Sequence, residues 1–126
     1  MKTYHSENAP AAIGPYSQAI RSGNLLFCSG QTPLDPGSMS LVGETIEEQT
    51  EQALANLTSV LAAAGLSVQH VVKTSVFLQT MDDFPGMNNT YERVFGPHKP
   101  ARTTVAVHQN PLGAKVEIEC IAEFGS

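Results

Sequence analysis

The fold is decided by the stretch Lys115–Phe124, which reads KVEIECIAEF. Apolar and polar residues alternate along it, which is the pattern of a β-strand with one buried face. The residues expected to face the core are Val116, Ile118, Cys120, Ala122 and Phe124. The opposite face carries Glu117, Glu119, Ile121 and Glu123. Because this second face is partly apolar and partly acidic, it could contribute to an interface between subunits.

Four more strands are predicted on the N-terminal side of this stretch. They are expected at residues 18–21, 25–29, 71–79 and 102–107. The first two flank Ser22-Gly23-Asn24, a turn sequence that predicts a β-hairpin. Residues 30–43 are rich in Gly, Pro and Asp and are expected to form a loop. Along residues 71–79, the side chains expected on one face are Val72, Thr74, Val76 and Leu78.

Two amphipathic helices are predicted between these strands. The first spans Thr45–Ala64, where Thr45 and Glu48 fit a capping box and Gly65 supplies the stop. The second begins with Asp82 or Asp83 as its cap and ends at Gly96-Pro97. Since strands outnumber helices, we expect residues 1–126 to form one α+β domain, with both helices covering one face of a single sheet.

The composition limits the classes of function. The net charge is −5 and no run of Lys or Arg occurs, so we expect no nucleic-acid partner. The N-terminus shows no signal segment and no window is apolar enough to span a membrane, so we expect a cytoplasmic protein without a membrane partner. Cys28 and Cys120 are expected to be buried, reduced thiols. The four histidines show no ligand spacing, so no metal is predicted.

Arg102 is the first candidate for a binding residue. It follows Pro100-Ala101 and begins a predicted half-buried strand. A charged group is costly to bury unless it is paired or binds a ligand, and the arginine fork suits a carboxylate. The residues alone therefore predict a pocket for a small carboxylic acid. A structural ion pair with Glu117 or Glu119 is the alternative.

Six segments, in order along the chain, resemble the signatures of the Rid/YjgF family, the reactive-intermediate deaminases. They are residues 8–19 (NAPAAIGPYSQA), 29–36 (SGQTPLDP), 72–78 with 81–84 (VKTSVFL and MDDF), 88–91 (NNTY), 100–102 (PAR) and 116–120 (VEIEC). The match covers nearly the whole chain without large insertions. It is therefore far more specific than any single short motif.

The resemblance implies a fold, an assembly and an activity. The fold would be chorismate-mutase-like, and the assembly a homotrimer with a central β-barrel, helices outside and clefts between subunits. The activity would be hydrolysis of 2-imino acids, chiefly 2-iminobutanoate and 2-iminopropanoate, to 2-oxo acids and ammonia. These imines arise from enamines that pyridoxal-phosphate enzymes release. No cofactor would be used.

The resemblance also implies roles for individual residues. Arg102 would hold the substrate carboxylate and Glu117 would handle the water. The residues that would shape the cleft are Tyr16, Ser29, Gly30, Asn88 and Thr104. Many relatives have Cys where this chain has Thr104, and Thr103 replaces a more usual Ser or Ala. Neither change removes a charge, so both concern substrate preference more than activity.

Other interpretations remain open at the level of sequence. Glu117 could be a solvated strand residue, and Tyr16 a turn aromatic that packs on the sheet. Ser29 could cap a strand end, and Asn88 could make a structural hydrogen bond from its helix. The protein itself could be a trimer that binds small carboxylates without catalysis, an endoribonuclease, or a chaperone-like holdase.

Overall fold

Six β-strands form a single mixed sheet in the computed structural model, which describes residues 1–125. The strands are β1 (Lys2–Tyr4), β2 (Ala19–Ser22), β3 (Leu25–Gln31), β4 (Val71–Leu78), β5 (Ala101–Ala106) and β6 (Val116–Glu123). Their order across the sheet is β1-β2-β3-β6-β4-β5. All neighbours are antiparallel except β4 and β5, which run parallel. With the helices α1 (Ile46–Ala63) and α2 (Phe84–Phe95), this confirms the α+β prediction.

The strand β6 lies inside the sheet, between β3 and β4. Val116, Ile118 and Ala122 are fully buried in the core, while Glu119 and Glu123 on the other face are exposed. The alternation predicted for Lys115–Phe124 is therefore confirmed. A strand with neighbours on both sides is held rigidly, so the side chains on its open face have well-defined positions.

The helix α1 begins as its sequence predicts. The Thr45 side chain accepts a hydrogen bond from the backbone N–H of Glu48, and the Glu48 carboxylate accepts one from the backbone N–H of Thr45. The apolar face of the helix enters the core through Ala53, Leu54, Leu57, Val60 and Leu61. Both helices pack on the sheet face that carries the buried residues of β6.

The start of α2 differs from the prediction of a side-chain cap. Asp83 occupies the cap position, but its backbone is already close to helical (φ −85°, ψ −1°) and its side chain makes no capping hydrogen bond. A cap residue normally has extended backbone geometry, which directs its side chain back to the first turn. Here a 3-10 turn at Met81–Asp83 leads into the helix, and the Thr80 side chain accepts from the N–H of Asp82.

One face assignment in β4 was wrong. Val71 is fully buried and Val72 is 40% exposed, the reverse of the predicted alternation. The pairing with β6 shifts register between Val71 and Lys73, so one residue bulges out of the ladder. Such a bulge moves every residue before it to the opposite face. From Thr74 onward the predicted alternation is confirmed, with Thr74, Val76 and Leu78 buried.

The two edges of the sheet were the least predictable parts. The strand β5 pairs only with β4, and its burial is partial: Arg102 and Thr104 on the helix-covered face are partly buried, while its other residues are exposed. The strand β1, at the other edge, was missed because three residues are too few for an alternating pattern. Within residues 1–125, no helix combines the length and apolarity needed to cross a bilayer.

Candidate functional site

Arg102 lies on the edge strand β5 and points to the helix-covered face of the sheet. Its register partner on β4 is Thr74, which is buried beneath α2. The guanidinium carbon lies 4.8 Å from the ring centre of Tyr91 and 5.5 Å from that of Phe84. Within residues 1–125 the only ion pair joins His5 to Glu7, so the alternative of a pair between Arg102 and Glu117 or Glu119 was wrong for this chain.

A hollow of about 330 Å³ opens beside Arg102. Its walls include Asn88, Tyr91, Glu92, His98 and Lys99. This volume is in the range of small-molecule sites in proteins. The structure therefore brings Arg102 and Asn88 together at one accessible hollow, as a carboxylate site requires.

Glu117 lies on the opposite, open face of the sheet. It is half-buried on β6, where its register partner on β4 is Phe77. Burial, and secondarily repulsion from Glu119 on the same face, raises the pKa of the Glu117 carboxyl above its ordinary value. A carboxyl shifted in this direction is better suited to general acid–base catalysis near neutral pH than an ordinary one.

The carboxyl group of Glu117 rests against the backbone of Gly30. A Cβ added to Gly30 would stand 2.8 Å from the Cδ of Glu117 and 3.0 Å from its Oε2. A Cβ at this position would therefore displace the Glu117 carboxyl group, and the backbone of Gly30 is not in the left-handed region. A second hollow, of about 240 Å³, contains Tyr16, Gly30 and Glu117.

Two strained residues border this second hollow. Met39 (φ 61°) and Leu112 (φ 58°) are non-glycine residues in the left-handed region, where side chains are disfavoured. Met39 belongs to the predicted loop at residues 30–43, Leu112 lies between two predicted strands, and no feature of the sequence identified either residue. Backbone strain of this kind occurs most often at functional sites, and it persists only where the surrounding structure holds the residue in place.

Tyr16 and Ser29 differ in what their side chains do. The Tyr16 ring is 55% exposed and borders both the hollow of Glu117 and a shallow depression with Ser29. The Ser29 hydroxyl donates to the carbonyl of Ser17 at 2.6 Å, so it fastens the segment before β2 to β3. Ser29 therefore makes a structural hydrogen bond, although it lies within β3 and does not cap a strand end. Tyr16 lies beside strands β3 and β6 with about half of its surface exposed.

Gln18 holds the Tyr16 segment in place and was not singled out in the sequence. It is buried, and its side-chain oxygen accepts from the N–H of Ser6 at 2.6 Å. Its amide nitrogen donates to the carbonyls of Ser6 and Pro10 at 3.2 and 2.8 Å. These three hydrogen bonds fasten Ser6 and Pro10 to Gln18, the residue just before β2. Its place in the N-terminal signature, residues 8–19, was the available signal.

Thr104 shares the helix-covered face with Arg102. Its register partner is the buried Val76. The hydroxyl oxygen is shielded from solvent and has no hydrogen-bond partner within residues 1–125. Buried hydroxyl groups are normally satisfied, so this oxygen is an exception.

Cys28 and Cys120 are buried free thiols at paired positions of β3 and β6, as predicted. A hydrogen bond with Cys28, together with burial, raises the pKa of the Cys120 thiol. A thiol kept protonated is a poor nucleophile. Within residues 1–125 no cluster of three or more His, Cys, Asp or Glu side chains could hold a metal ion.

Comparison with known proteins places this geometry in a family. The family model described as Endoribonuclease L-PSP matches residues 6–124. The chain is 45% identical over 124 residues to the 2-iminobutanoate/2-iminopropanoate deaminase of Salmonella typhimurium, covering 96% of each chain. The chain therefore belongs to the Rid/YjgF (L-PSP) family. The family predicted from the six sequence segments is confirmed.

Solved structures of Rid/YjgF proteins share the whole fold. A putative endoribonuclease of Thermotoga maritima superposes with a TM-score of 0.97 at 48% identity, covering 100% of this chain and 99% of that one. TdcF of E. coli, solved with bound serine, gives a TM-score of 0.94 at 35% identity over 99% and 100% of the two chains. The names in the Rid/YjgF family are thus mixed.

In this Rid/YjgF chain the predicted site residues form two separate groups. Arg102 and Asn88 border one hollow, and Tyr16, Gly30 and Glu117 border another. The two groups lie on opposite faces of the sheet, and β4 separates the strands that carry Arg102 and Glu117. A single chain therefore does not bring its arginine and its glutamate to one ligand.

Proposed function

We propose that this protein hydrolyses small 2-imino acids, such as 2-iminobutanoate and 2-iminopropanoate, to 2-oxo acids and ammonia. The observation that carries the proposal is the Arg102 guanidinium, which borders an open hollow and has no carboxylate partner within residues 1–125. An arginine placed in this way suits a ligand carboxylate. The deaminase name of the Salmonella relative and the serine bound to TdcF support a small amino-acid-like ligand.

Hydrolysis of the imine requires that the substrate carboxylate is fixed, that a water molecule is positioned at the imine carbon, and that a side chain carries protons. Arg102 holds the substrate carboxylate in two-point contact, which contributes about 1.5–3 kcal/mol. Starting from the protonated imine, Glu117 takes a proton from water as the water oxygen bonds to the imine carbon, and the C=N electron pair moves to nitrogen to give a neutral amino alcohol. Glu117 then gives this proton to nitrogen, the C–N bond breaks with its electron pair leaving on ammonia, and the hydroxyl proton passes back to Glu117 as the carbonyl forms. General acid–base catalysis of this kind contributes roughly 10²–10⁴-fold.

The proposed assembly is a homotrimer with a central β-barrel, in which each cleft joins the Arg102 side of one protomer to the Glu117 side of the next. The separation of the two residues within one chain supports this arrangement. The open face of the sheet also exposes Phe27 and Val105, at 45% and 42%. Exposed apolar groups on one sheet face are typical of a surface that another chain covers.

The cytoplasm is the proposed location. Cys28 and Cys120 are neighbours across β3 and β6 and both are free thiols. Free thiols so close together are expected in a compartment where glutathione and thioredoxin keep cysteines reduced.

The test is a coupled deamination assay. Threonine dehydratase generates the imine from threonine, and 2-oxobutanoate release is followed in competition with semicarbazide as the imine scavenger. We expect the wild-type protein to accelerate release and Arg102→Ala to lose the acceleration. Arg21→Ala is the matched control, because Arg21 also stacks on an aromatic ring, that of Phe124, but lies on β2. Equal rates for wild type and Arg102→Ala would reject the proposal.

Binding measurements on the same purified protein distinguish two other functions. Saturable 2-oxobutanoate binding without turnover would indicate a carboxylate-binding protein. The endoribonuclease named by the family model would require contact with RNA phosphates, for which a chain of net charge −5 with no basic run is poorly suited. RNA binding that weakens steeply with salt would support the nuclease instead.

A further inference from the structure

The guanidinium of Arg102 lies against two aromatic rings of α2. Phe84 is the first residue of the helix and Tyr91 follows seven residues later, so the two rings are about two turns apart on one side. Their centres lie 5.5 and 4.8 Å from the guanidinium carbon, within the range of cation–π attraction. Both rings come from the helix that crosses from β4 to β5, so the fold itself brings them to Arg102.

The Tyr91 ring is itself held firmly. Its hydroxyl forms a 2.7 Å hydrogen bond with the Thr74 hydroxyl, and both groups are buried. Its ring stacks on that of Phe95 with the centres 4.5 Å apart. Tyr91 is only 7% exposed, so a ligand in the hollow meets little of it. The Arg102 guanidinium lies over this ring on the side of the hollow, with 4.8 Å between its carbon and the ring centre.

An aromatic ring and a protein carboxylate would both attract the Arg102 guanidinium, but they differ in whether they occupy its N–H donors. A protein carboxylate would occupy its N–H donors and compete with any ligand carboxylate. An aromatic face attracts the cation without using those donors, which point outward in the plane of the guanidinium. No protein carboxylate lies within ion-pair distance of Arg102 within residues 1–125, so its N–H donors are free of a carboxylate while its guanidinium lies over the Tyr91 ring.

We propose that Tyr91, assisted by Phe84, is a positioning residue that holds the Arg102 guanidinium by its face and leaves its N–H edge free for a carboxylate ligand. The inference rests on the proposed function for the identity of that ligand. The contact between the Arg102 guanidinium and the Tyr91 ring can be measured whether or not the protein is a deaminase.

The Kd of 2-oxobutanoate measures how much the contact between Tyr91 and Arg102 contributes to ligand affinity. We expect Tyr91→Leu to raise its Kd about fivefold to tenfold, since the lost attraction is that of a partly desolvated cation–π pair. Tyr91→Phe keeps the ring, and is expected to stay within about twofold of wild type while losing thermal stability with the Thr74 hydrogen bond. In turnover, the Leu variant should show a raised KM with a smaller change in kcat.

A control separates positioning from general loss of stability. Phe124→Leu removes a comparable pair, that of Arg21 and Phe124 with 3.8 Å between guanidinium carbon and ring centre, and neither residue lines the hollow. It should leave the Kd unchanged. If Phe124→Leu weakens 2-oxobutanoate binding as much as Tyr91→Leu, or if Tyr91→Leu binds like wild type, the inference is overturned.

Nuclear magnetic resonance of the arginine Nε–H groups tests the contact without any ligand. The chain has only three arginines, Arg21, Arg93 and Arg102, so the signal of Arg102 can be assigned by its loss in Arg102→Lys. Ring currents should displace this signal in the wild type, and Tyr91→Leu should move it toward the position of a free arginine. A signal that is the same in both proteins overturns the inference.

The outcomes distinguish the two proposals. Should the wild type show no turnover while the Arg102 signal still depends on Tyr91, the deaminase proposal fails and the positioning role stands. Should turnover be normal in Tyr91→Leu with an unchanged Arg102 signal, the positioning role alone fails. If Tyr91→Leu does not fold, Phe84→Leu replaces it, with a Kd rise of about twofold to threefold expected and a displaced signal required.

Discussion

Arg102 and Glu117 are separated by one strand and by the thickness of the sheet. Arg102 lies beside Thr74 under the helices, and Glu117 lies beside Phe77 on the open face. Register partners point to the same face, so no rotamer change within one chain can bring the guanidinium and the carboxylate together. If both act on one substrate, they come from different protomers.

Mixing two inactive variants tests this relationship. In a cyclic trimer with shared sites, Arg102→Ala and Glu117→Gln subunits that recombine at random restore one intact site in each mixed trimer, and about a quarter of wild-type activity overall. The measurement is deaminase activity after co-refolding, with each variant refolded alone as the control. Activity no higher than that of the separate variants would mean that no site is shared between protomers.

The mass of the assembly gives a second check. Light scattering should give three times the 13.4 kDa chain mass. Phe27→Asp, which places a charge on the exposed apolar part of the open face, should shift the mass toward a single chain because the charge would be buried unpaired. A wild-type mass equal to one chain would contradict the shared cleft.

Gly30→Ala should impair catalysis without unfolding the protein. The added Cβ would stand 2.8 Å from the Cδ of Glu117 and would push the carboxyl group aside. A displacement of about 1 Å in a reacting group can cost on the order of 10²-fold in rate, so we expect kcat/KM to fall by about that factor. Gly125→Ala is the control, since nothing lies within 4 Å of its added Cβ. Equal kcat/KM for both variants would remove Glu117 from the mechanism.

The pH dependence of activity should follow Glu117. Burial and the neighbouring Glu119 raise its pKa, so the ionised base is lost as pH falls through that raised value, and kcat/KM falls with it. Glu119→Gln removes a repelling charge, lowers the pKa of Glu117, and should move the acidic limb of the profile to lower pH. A limb that stays in place or moves upward would contradict this assignment.

The ionisation of Glu117 should lower conformational stability as pH rises, whereas it raises kcat/KM. A carboxyl group whose pKa is raised on folding is less stable as an anion in the folded protein than in the unfolded chain. The free energy of unfolding therefore decreases as pH rises from the pKa of the unfolded chain to the raised pKa of the folded protein. Glu117→Gln should therefore unfold at a higher temperature than wild type at neutral pH, with the difference disappearing in acid. Thermal unfolding at several pH values measures it, and a gain that grows in acid would reverse the sign of the argument.

Gln18→Ala should destabilise the protein because it leaves buried groups unpaired. The side chain makes three hydrogen bonds to the N-terminal segment. We expect a loss of about 2–4 kcal/mol in the free energy of unfolding, measured by denaturant titration. Gln69→Ala, at an exposed residue, should change it little. A small change at Gln18 would mean that water replaces these hydrogen bonds.

The amino-acid sequence by itself determined the local elements and the family. The alternation in Lys115–Phe124, the capping box of Thr45 with Glu48, and the turn at Gly23 depend on contacts within a few residues, and each is found in the structure. Short-range periodicity and turn chemistry record such features directly. Arg102 was a candidate from the residues alone, and the role of Glu117 came from the resemblance of the six segments to the Rid/YjgF family.

Only the tertiary structure decided how these candidates are arranged. The bulge at Val72, the exposure of β5 and the aromatic support of Arg102 by Tyr91 depend on strand order and on the path of α2 between two parallel strands. The same is true of the opposite faces on which Arg102 and Glu117 lie. Pairing register and sheet order join residues far apart in the chain, and no local pattern encodes them.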